Sequence, residues 1–218
     1  MPPLRQAGLR KRGIPFPISR IFIEYNGTAN DAGFHVRLDA EDWKEIEIVN
    51  PKGRTIFEVE GNGGFGRLGM TELFFEGAEP SLDEVPVDEL LGLFPEGQYN
   101  FFGRTVDGKI LFGASMLTHA VPAGPSNISA RVGPGKTLAI SWDPVKTSAA
   151  GFPNRPIEIV GYQVILGDFQ VTVPASITRV TISPEFVASL ESGRHLFEVL
   201  AIEVGGNQTI TESSFTLP

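Results

Sequence analysis

Asn30, Asp31 and Asp39 are where this chain comes nearest to holding a metal ion. They lie in or just past Asn26-Gly-Thr-Ala-Asn30-Asp31-Ala-Gly33, with Glu24 upstream. Carboxylate, amide and loop carbonyl oxygens are the ligands calcium takes. The alternating acids and closing Glu of an EF-hand loop are absent, and Asn, Asp and Gly are also what a plain turn prefers. Calcium is therefore the ion this loop would suit, and no organic cofactor is implied. A second constellation is Asp39-Ala-Glu41-Asp42-Trp43. An indole face can stack on a sugar ring while Glu41 and Asp42 accept its hydroxyls. The competing reading has Trp43 closing a core at a strand end.

Other chemistry-bearing residues are scattered. Glu72, Glu76, Glu79, Asp83, Glu84, Asp88 and Glu89 crowd one stretch. Paired carboxylates serve glycosidases, but an even scatter over a loop and a helix face reads as a solvated acidic surface. His35, His119 and His195 stand too far apart in sequence for metal-ligand spacing. His35 and His195 fall in strands and point outward or into a satisfied contact. Gly113-Ala-Ser115-Met lacks the closing glycine of a nucleophile elbow. Gly61-Asn-Gly-Gly-Phe-Gly66 is glycine-rich, but no Lys-Ser/Thr pair follows it, so it is not a phosphate loop. Asn26-Gly-Thr28, Asn127-Ile-Ser129 and Asn207-Gln-Thr209 are glycosylation sequons by spacing. No nucleophile, base and orienter fall together, so the chain reads as no enzyme.

The totals set bounds on what could position these residues. At 218 residues the chain can hold one large domain or two of roughly 100 residues. Glycine and proline together make 42 of the 218, without a short repeat period, which predicts many turns and short strands. Of the aromatics 16 are Phe, a core residue with no polar handle. There is no cysteine, which excludes disulfides, thiolate metal sites and cysteine nucleophiles without placing the protein in any compartment.

Charge is uneven. Residues 1–20 carry five bases and no acid, while residues 21–120 carry eighteen acids and seven bases. The net charge of −8 argues against nucleic acid and against an anionic membrane surface. No window of about 18 apolar residues exists, so no transmembrane segment is expected. The basic start lacks an apolar h-region and does not read as a secretory signal; it reads as a basic flexible tail, residues 1–20.

Alternation marks the elements. Ile21–Tyr25 reads as a strand, and Gly33–Leu38 puts Phe34, Val36 and Leu38 on one face. Trp43–Val49 and Arg54–Val59 form a hairpin across the turn Asn50-Pro-Lys-Gly53, with Ile46 and Ile48 inward. Gly61–Gly64 reads as flexible. Thr71–Phe75 is short and apolar, strand or a single helical turn. Val87, Leu90, Leu91 and Phe94 sit at helical spacing behind Pro86, which predicts a short amphipathic helix. Strands at Gln98–Val106 and Lys109–Leu117 flank Asp107-Gly108, the two-residue hairpin signal. Val121-Pro-Ala-Gly-Pro125 reads as a stiff linker. Seven strands are expected after it, near 127–132, 137–142, 159–166, 169–173, 178–182, 195–204 and 209–216.

These last strands carry a resemblance. Pro122 and Pro125, Trp142-Asp-Pro144, Ile159-Val-Gly-Tyr162-Gln-Val and Arg194–Glu203, in this order, resemble a fibronectin type III domain over residues 120–218. In that family a Tyr is usual where Leu196 stands. No Arg-Gly-Asp tripeptide supports integrin binding. The first half resembles the front domains of bacterial two-module proteins. The chain thus reads as all-β with two tandem β-sandwich-type domains, an acidic one at 21–119 with one short helix and the fibronectin-like one at 120–218. The expected function is a non-catalytic binding or adhesion module in an extracellular or periplasmic place, with a protein or glycan partner. The alternative is a structural subunit of a filament or surface assembly, joined to its copies through exposed strand edges.

Overall fold

The computed structural model describes residues 13–217. Residues 1–12 of the expected basic tail lie outside the described residues. Its last part belongs to the fold: β1 (Ile14–Pro15) pairs in parallel with β7 at Leu111 and Phe112, and β2 (Ile18–Asn26) begins soon after. The fold is all-β and sandwich-like, with short helices only. The chain divides into two compact units. Unit one takes the chain up to Phe22, then Phe34–Ala78 and Asp88–Thr118. Unit two takes Ile23–Gly33, Glu79–Val87 and the chain from His119 onward.

Unit one is organised by β3 (Asp31–Val49), which joins two stretches that alternation reads as separate strands. Its Phe34, Val36, Leu38, Ile46 and Ile48 are buried, as the alternation requires. The earlier part of β3 pairs with β5 (Met70–Glu76), so the short apolar run is a strand. The later part pairs with β4 (Thr55–Glu60) and β6 (Gly97–Thr105). A register break between Asp39 and Trp43 separates these two regimes. Such bulges let one strand bend and serve different partners. Rings on β4 and β5 then meet, Phe57 stacking on Phe75 at 4.5 Å.

Turn chemistry holds these strands in register. The Asn50 side-chain oxygen accepts from Lys52 N–H and Arg54 N–H, both at 3.0 Å, and Gly53 takes the left-handed φ of 74°. The link from β6 to β7 (Ile110–Leu117) is longer than the two-residue turn that Asp107-Gly108 predicts. Thr105 and Lys109 close it, and only Gly108 has positive φ, so it is a three-residue bulged loop. Helix α2 (Val87–Leu93) stands where the 3.6-residue period puts it, with Leu90 and Leu91 buried and Asp88 and Glu89 in its first turn. Phe34 stacks on Phe94 just past its end, at 4.0 Å. Tyr99 is fully buried; its hydroxyl donates to Pro95 O at 3.2 Å, and burial pushes its pKa up to about 12. One element was not legible: the run expected to be flexible forms α1 (Gly63–Leu68).

Unit two is an immunoglobulin-like sandwich. Its seven strands are β8 (Ser126–Val132), β9 (Leu138–Asp143), β10 (Ile159–Leu166), β11 (Phe169–Pro174), β12 (Arg179–Ile182), β13 (Gly193–Glu203) and β14 (Gln208–Leu217). They match the seven expected runs to within two residues at each end. One sheet runs β12-β9-β8 and the other contains β14-β13-β10-β11. Three against four, with every paired neighbour antiparallel, is the division an immunoglobulin-like fold makes. Helix α3 (Pro184–Ser189) follows β12 and buries Val187.

The core between the sheets holds Ile140 and Trp142 from β9, Tyr162 and Val164 from β10, and Phe197 and Val199 from β13. The Trp142 and Tyr162 rings lie 5.3 Å apart at 57°. The Tyr162 hydroxyl accepts from Val145 N–H at 2.8 Å and so anchors the chain just past Pro144. The expected linker does not stand free of this sandwich. Val121 is fully buried, Ala123 N–H donates to Thr147 O at 2.8 Å, and Ala149 N–H donates to Val121 O at 3.0 Å. The segment Glu24–Asn26 adds to β14 in parallel.

Candidate functional site

Three of the singled-out residues meet at the break in β3. Asp39 faces Glu72 and Trp43 faces Met70 on β5, so Ala40, Glu41 and Asp42 stand opposite Thr71 alone. Asp42 takes a positive φ of 33°, and Glu41 and Asp42 come out exposed. The next side chain turns back inward. Trp43 is 1% exposed, so its ring has no face to offer a sugar. This corrects the sugar-stacking reading for Trp43: the residue fills the core of unit one. Its indole N–H meets no hydrogen-bond partner among the described residues.

The aromatic beside these acids is Phe65 instead. Helix α1 leaves Phe65 64% and Leu68 77% exposed. With Asp42, Gly69, Met70, Thr71 and Glu72 they line a cleft of about 470 Å³. Glycines make the tight turns possible. Gly69 caps α1 at φ 84°, donating to Phe65 O at 2.8 Å, and a methyl on it would lie 2.7 Å from Asp42 Cα. Gly66 runs equally close to Gly61 O, at 2.6 Å from its would-be Cβ. Gly69→Ala is therefore expected to destabilise unit one by about 1–3 kcal/mol, from backbone strain plus a clash with main chain. The check is a thermal melt followed by Trp43 fluorescence in a Trp142→Phe background, and an unchanged midpoint would refute the tight approach.

Charges around this cleft are partly matched. Arg37 pairs with Glu72 at 3.2 Å, both half-exposed, a contact worth about 0–1 kcal/mol. Lys109 Nζ lies 2.7 Å from Asp107 Oδ2. Hydrogen bonds from Lys109 and then Thr105 hold the Asp107 carboxyl down at about 2. Lys109 is raised, chiefly by Asp107, with smaller help from Asp42 and Glu41. A second, smaller groove of about 340 Å³ crosses β6 and β7 between Phe102, Phe112, Gln98, Asn100 and Ser19. Phe102 is only 8% exposed there, and Gln98 Nε2 is already donated to Asn100 Oδ1 at 2.7 Å.

Of the expected calcium ligands, Asn30 and Asp31 belong to unit two and Asp39 to unit one. The Asn26 side-chain oxygen accepts from Thr28 N–H at 2.9 Å and Ala29 N–H at 3.0 Å, an Asx turn. Asn30 takes left-handed φ 58°, accepts from the Tyr25 hydroxyl at 3.3 Å and donates to Asp83 Oδ1 at 3.1 Å. Burial, and then Glu212, hold Asp31 above its ordinary value. The run of acids at 72–89 is dispersed among Arg37, Asn30 and the first turn of α2. His35 is buried with its ring stacked on Phe22 at 5.0 Å, and His195 lies 2.7 Å from Glu191 O.

A carboxylate group that sequence reading missed lies on unit two. Glu198 and Glu212 sit directly opposite each other on β13 and β14. Glu198 is raised by burial first, then by Glu212 and Glu24. Asn26 Nδ2 donates to Glu212 at 2.6 Å, and Gln208 donates to Glu24. A raised carboxyl favours the fold in its protonated form: that contribution is present below the ordinary value near 4.5 and is lost as pH rises through the folded value. Glu198→Gln should therefore raise unit-two stability by about 0.5–1 kcal/mol at pH 7. It should change nothing at pH 3.5, as paired melts at the two pH values would test. Strand register, unreadable from one sequence, is what brings these acids together.

No protein-family model matches the chain, and no curated protein matches it. Solved structures give distant likenesses. The Clostridium perfringens spore cortex lytic enzyme SleM matches at TM-score 0.36 and 16% identity over 44% of this chain and 28% of its own. A tetra-tandem repeat from the extending region of a large adhesion protein matches at TM-score 0.30 and 12% identity over 92% of this chain and 50% of its own. The chicken CNTN1 FN1-FN3 domains match at TM-score 0.29 and 11% identity, over 94% and 68%. The chain spans half or less of the first two of these proteins. Likenesses this distant carry no argument about function. Among the described residues no helix is long and apolar enough to cross a membrane.

Proposed function

We propose that this chain is a non-catalytic binding module acting outside the cytoplasm, and that the cleft beside α1 is the face that meets its partner. One observation carries the reading. Phe65 and Leu68 are large apolar side chains held in water, on a six-residue helix that glycines clamp against β3. Neither side chain serves the core, and covering them is favourable by about 25 cal/mol per Å². Glu41, Asp42 and Glu72 give the patch a polar rim, the usual anatomy of a protein-binding spot. The fibronectin type III resemblance of residues 120–218 supports the same reading by analogy, as a scaffold that displays a neighbour.

Panning a random peptide library on the full chain, then measuring hits by interferometry, tests this. Leu68→Ser and Phe65→Ala are both exposed changes and should leave melting intact. Each is expected to weaken the selected peptides at least tenfold. Hits that bind both variants as tightly as the parent would show that the cleft is not the site. A glycan array run beside it separates a sugar partner from a peptide one. The reading as an assembly subunit is favoured by a different feature, the free edge of unit two.

A further inference from the structure

Among the described residues, every strand that pairs along one side only, save one, carries a guard against joining another chain; β1, for instance, has two residues, one of them Pro15. Such guards are charges, bulges, prolines or shortness. The edge strand β4 has Glu58 and Glu60, and β5 has Glu72 and Glu76. The edge strand β12 has only four residues, one of them Arg179. The edge strand β8 has Arg131, a register shift and Asn127 at φ 51°. The exception is β11, Phe169-Gln-Val-Thr-Val-Pro174. It pairs on one side with β10 in unbroken register and ends its sheet on the other. It has no charge and no bulge; its one proline, at the last position, removes a single outward N–H. Every second residue of such an edge points its N–H and C=O outward.

We propose that β11 is a self-association edge, which pairs antiparallel with β11 of a second copy of this chain. A two-fold axis through the sheet keeps each face on its own side, so a residue must meet one of the same parity. The register centred on Thr172 satisfies this. It sets Thr172 of one copy opposite Thr172 of the other, Val171 opposite Val173, and Gln170 opposite Pro174. There Gln170 N–H donates to the Pro174 carbonyl, and the Gln170 carbonyl receives nothing in return. The exposed row, Gln170, Thr172 and Pro174, is polar without charge, and Thr–Thr is a favourable cross-strand pair. The half-buried row, Phe169, Val171 and Val173, packs on the core of its own sandwich, so pairing extends that apolar layer into the next copy. Asp168 then faces Ser176, so no like charges meet, which matters for two chains each of net charge −8. A foreign strand has no such matched register to offer. Six residues bury well under the ~1,000 Å² of a stable interface, so the association is weak and grows with local concentration. It is independent of the α1 cleft.

Static light scattering of the full chain from about 10 μM to 1 mM tests this. The average mass is expected to climb from one chain toward two. Thr172→Lys puts two lysines face to face and should weaken association at least tenfold. Because Thr172 Oγ1 accepts from Gln163 Nε2 at 3.0 Å, Gln170→Lys is measured too, since it leaves that bond in place. Unit-two melting should stay within a few degrees in both. Mixing Thr172→Lys with Thr172→Glu should restore the heavier species. A parent that holds the mass of one chain throughout overturns the proposal. So do lysine variants that associate like the parent, or a Lys/Glu mixture that stays at one chain.

Discussion

Asn207→Asp is expected to lower the stability of unit two by about 3 kcal/mol at pH 7 and by far less at pH 4. Asn207 is 1% exposed, and both ends of its amide are in use. Its oxygen accepts from Ile23 N–H at 2.9 Å, and its nitrogen donates to Ala120 O at 3.1 Å. One side chain thus ties β2 and the start of the 120–125 segment to β14. Neighbouring Thr209 repeats the device, donating from Oγ1 to Pro122 O at 2.5 Å. Aspartate keeps the first acceptor but turns a second oxygen on the Ala120 carbonyl, in a site buried from solvent. The protonated acid can donate to that carbonyl, so the folded state raises the carboxyl pKa. The sign then follows: the loss is small below the ordinary aspartate value near 3.9 and grows as pH rises through the folded one. Melts at pH 4 and pH 7 read the difference; a loss equal at both would mean the site is wet. The same burial makes Asn207-Gln-Thr209 a poor glycan acceptor once folded.

Trp142→Ala should cost unit two about 3–5 kcal/mol, whereas Trp142→Phe should cost under about 1.5. Trp142 is 4% exposed in the middle of the sandwich core, against Tyr162. Alanine leaves a void between two sheets whose backbones cannot close on it. Phenylalanine keeps most of the ring volume. It also sacrifices no hydrogen bond, since the indole N–H has no partner among the described residues. A loss of 3–5 kcal/mol is a large part of what holds a domain of this size folded. The chain has 2 tryptophans, and the other is Trp43 in unit one. In the Trp142 variants, Trp43 fluorescence therefore reports unit one alone, and a circular-dichroism transition that it does not share reports the sandwich. Equal losses for the Phe and Ala variants would mean that the indole N–H is bonded after all.

Much of unit two could be read from one sequence. Each of its strands is a short alternating run bounded by Gly, Pro or Asp, and such runs state their own face and length. The amphipathic period of Val87, Leu90 and Leu91 likewise foretold α2. Unit one was less legible because its signals conflict. Asp39–Asp42 is polar enough to look like a loop, so β3 read as two strands; the ladder survives because Asp42 accepts a left-handed backbone. Gly61–Gly64 read as flexible because nothing local stabilises a helix of glycines. Its close approaches to neighbouring backbone are what admit α1, and they leave Phe65 and Leu68 outside.

The two tryptophans show where local reading stops. Asp42-Trp43 and Trp142-Asp143 both set a Trp beside an acid at a strand position, and both rings are buried. Residue type and spacing could not distinguish a ligand platform from a core plug, because exposure depends on what packs across the sheet. By itself the sequence determined the all-β class, the seven strands of the sandwich and the inward faces, since these follow from alternation and turn residues within a few positions. Only the tertiary structure decided that the Asn207 of a sequon is a buried tie, that Glu198 meets Glu212, that Phe65 replaces Trp43 beside the acids, and that β11 is a sheet-ending strand left uncharged among the described residues. Asn207 meets partners 184 and 87 positions away, and contacts at such separations are set by how sheets close, which no short window of residues encodes.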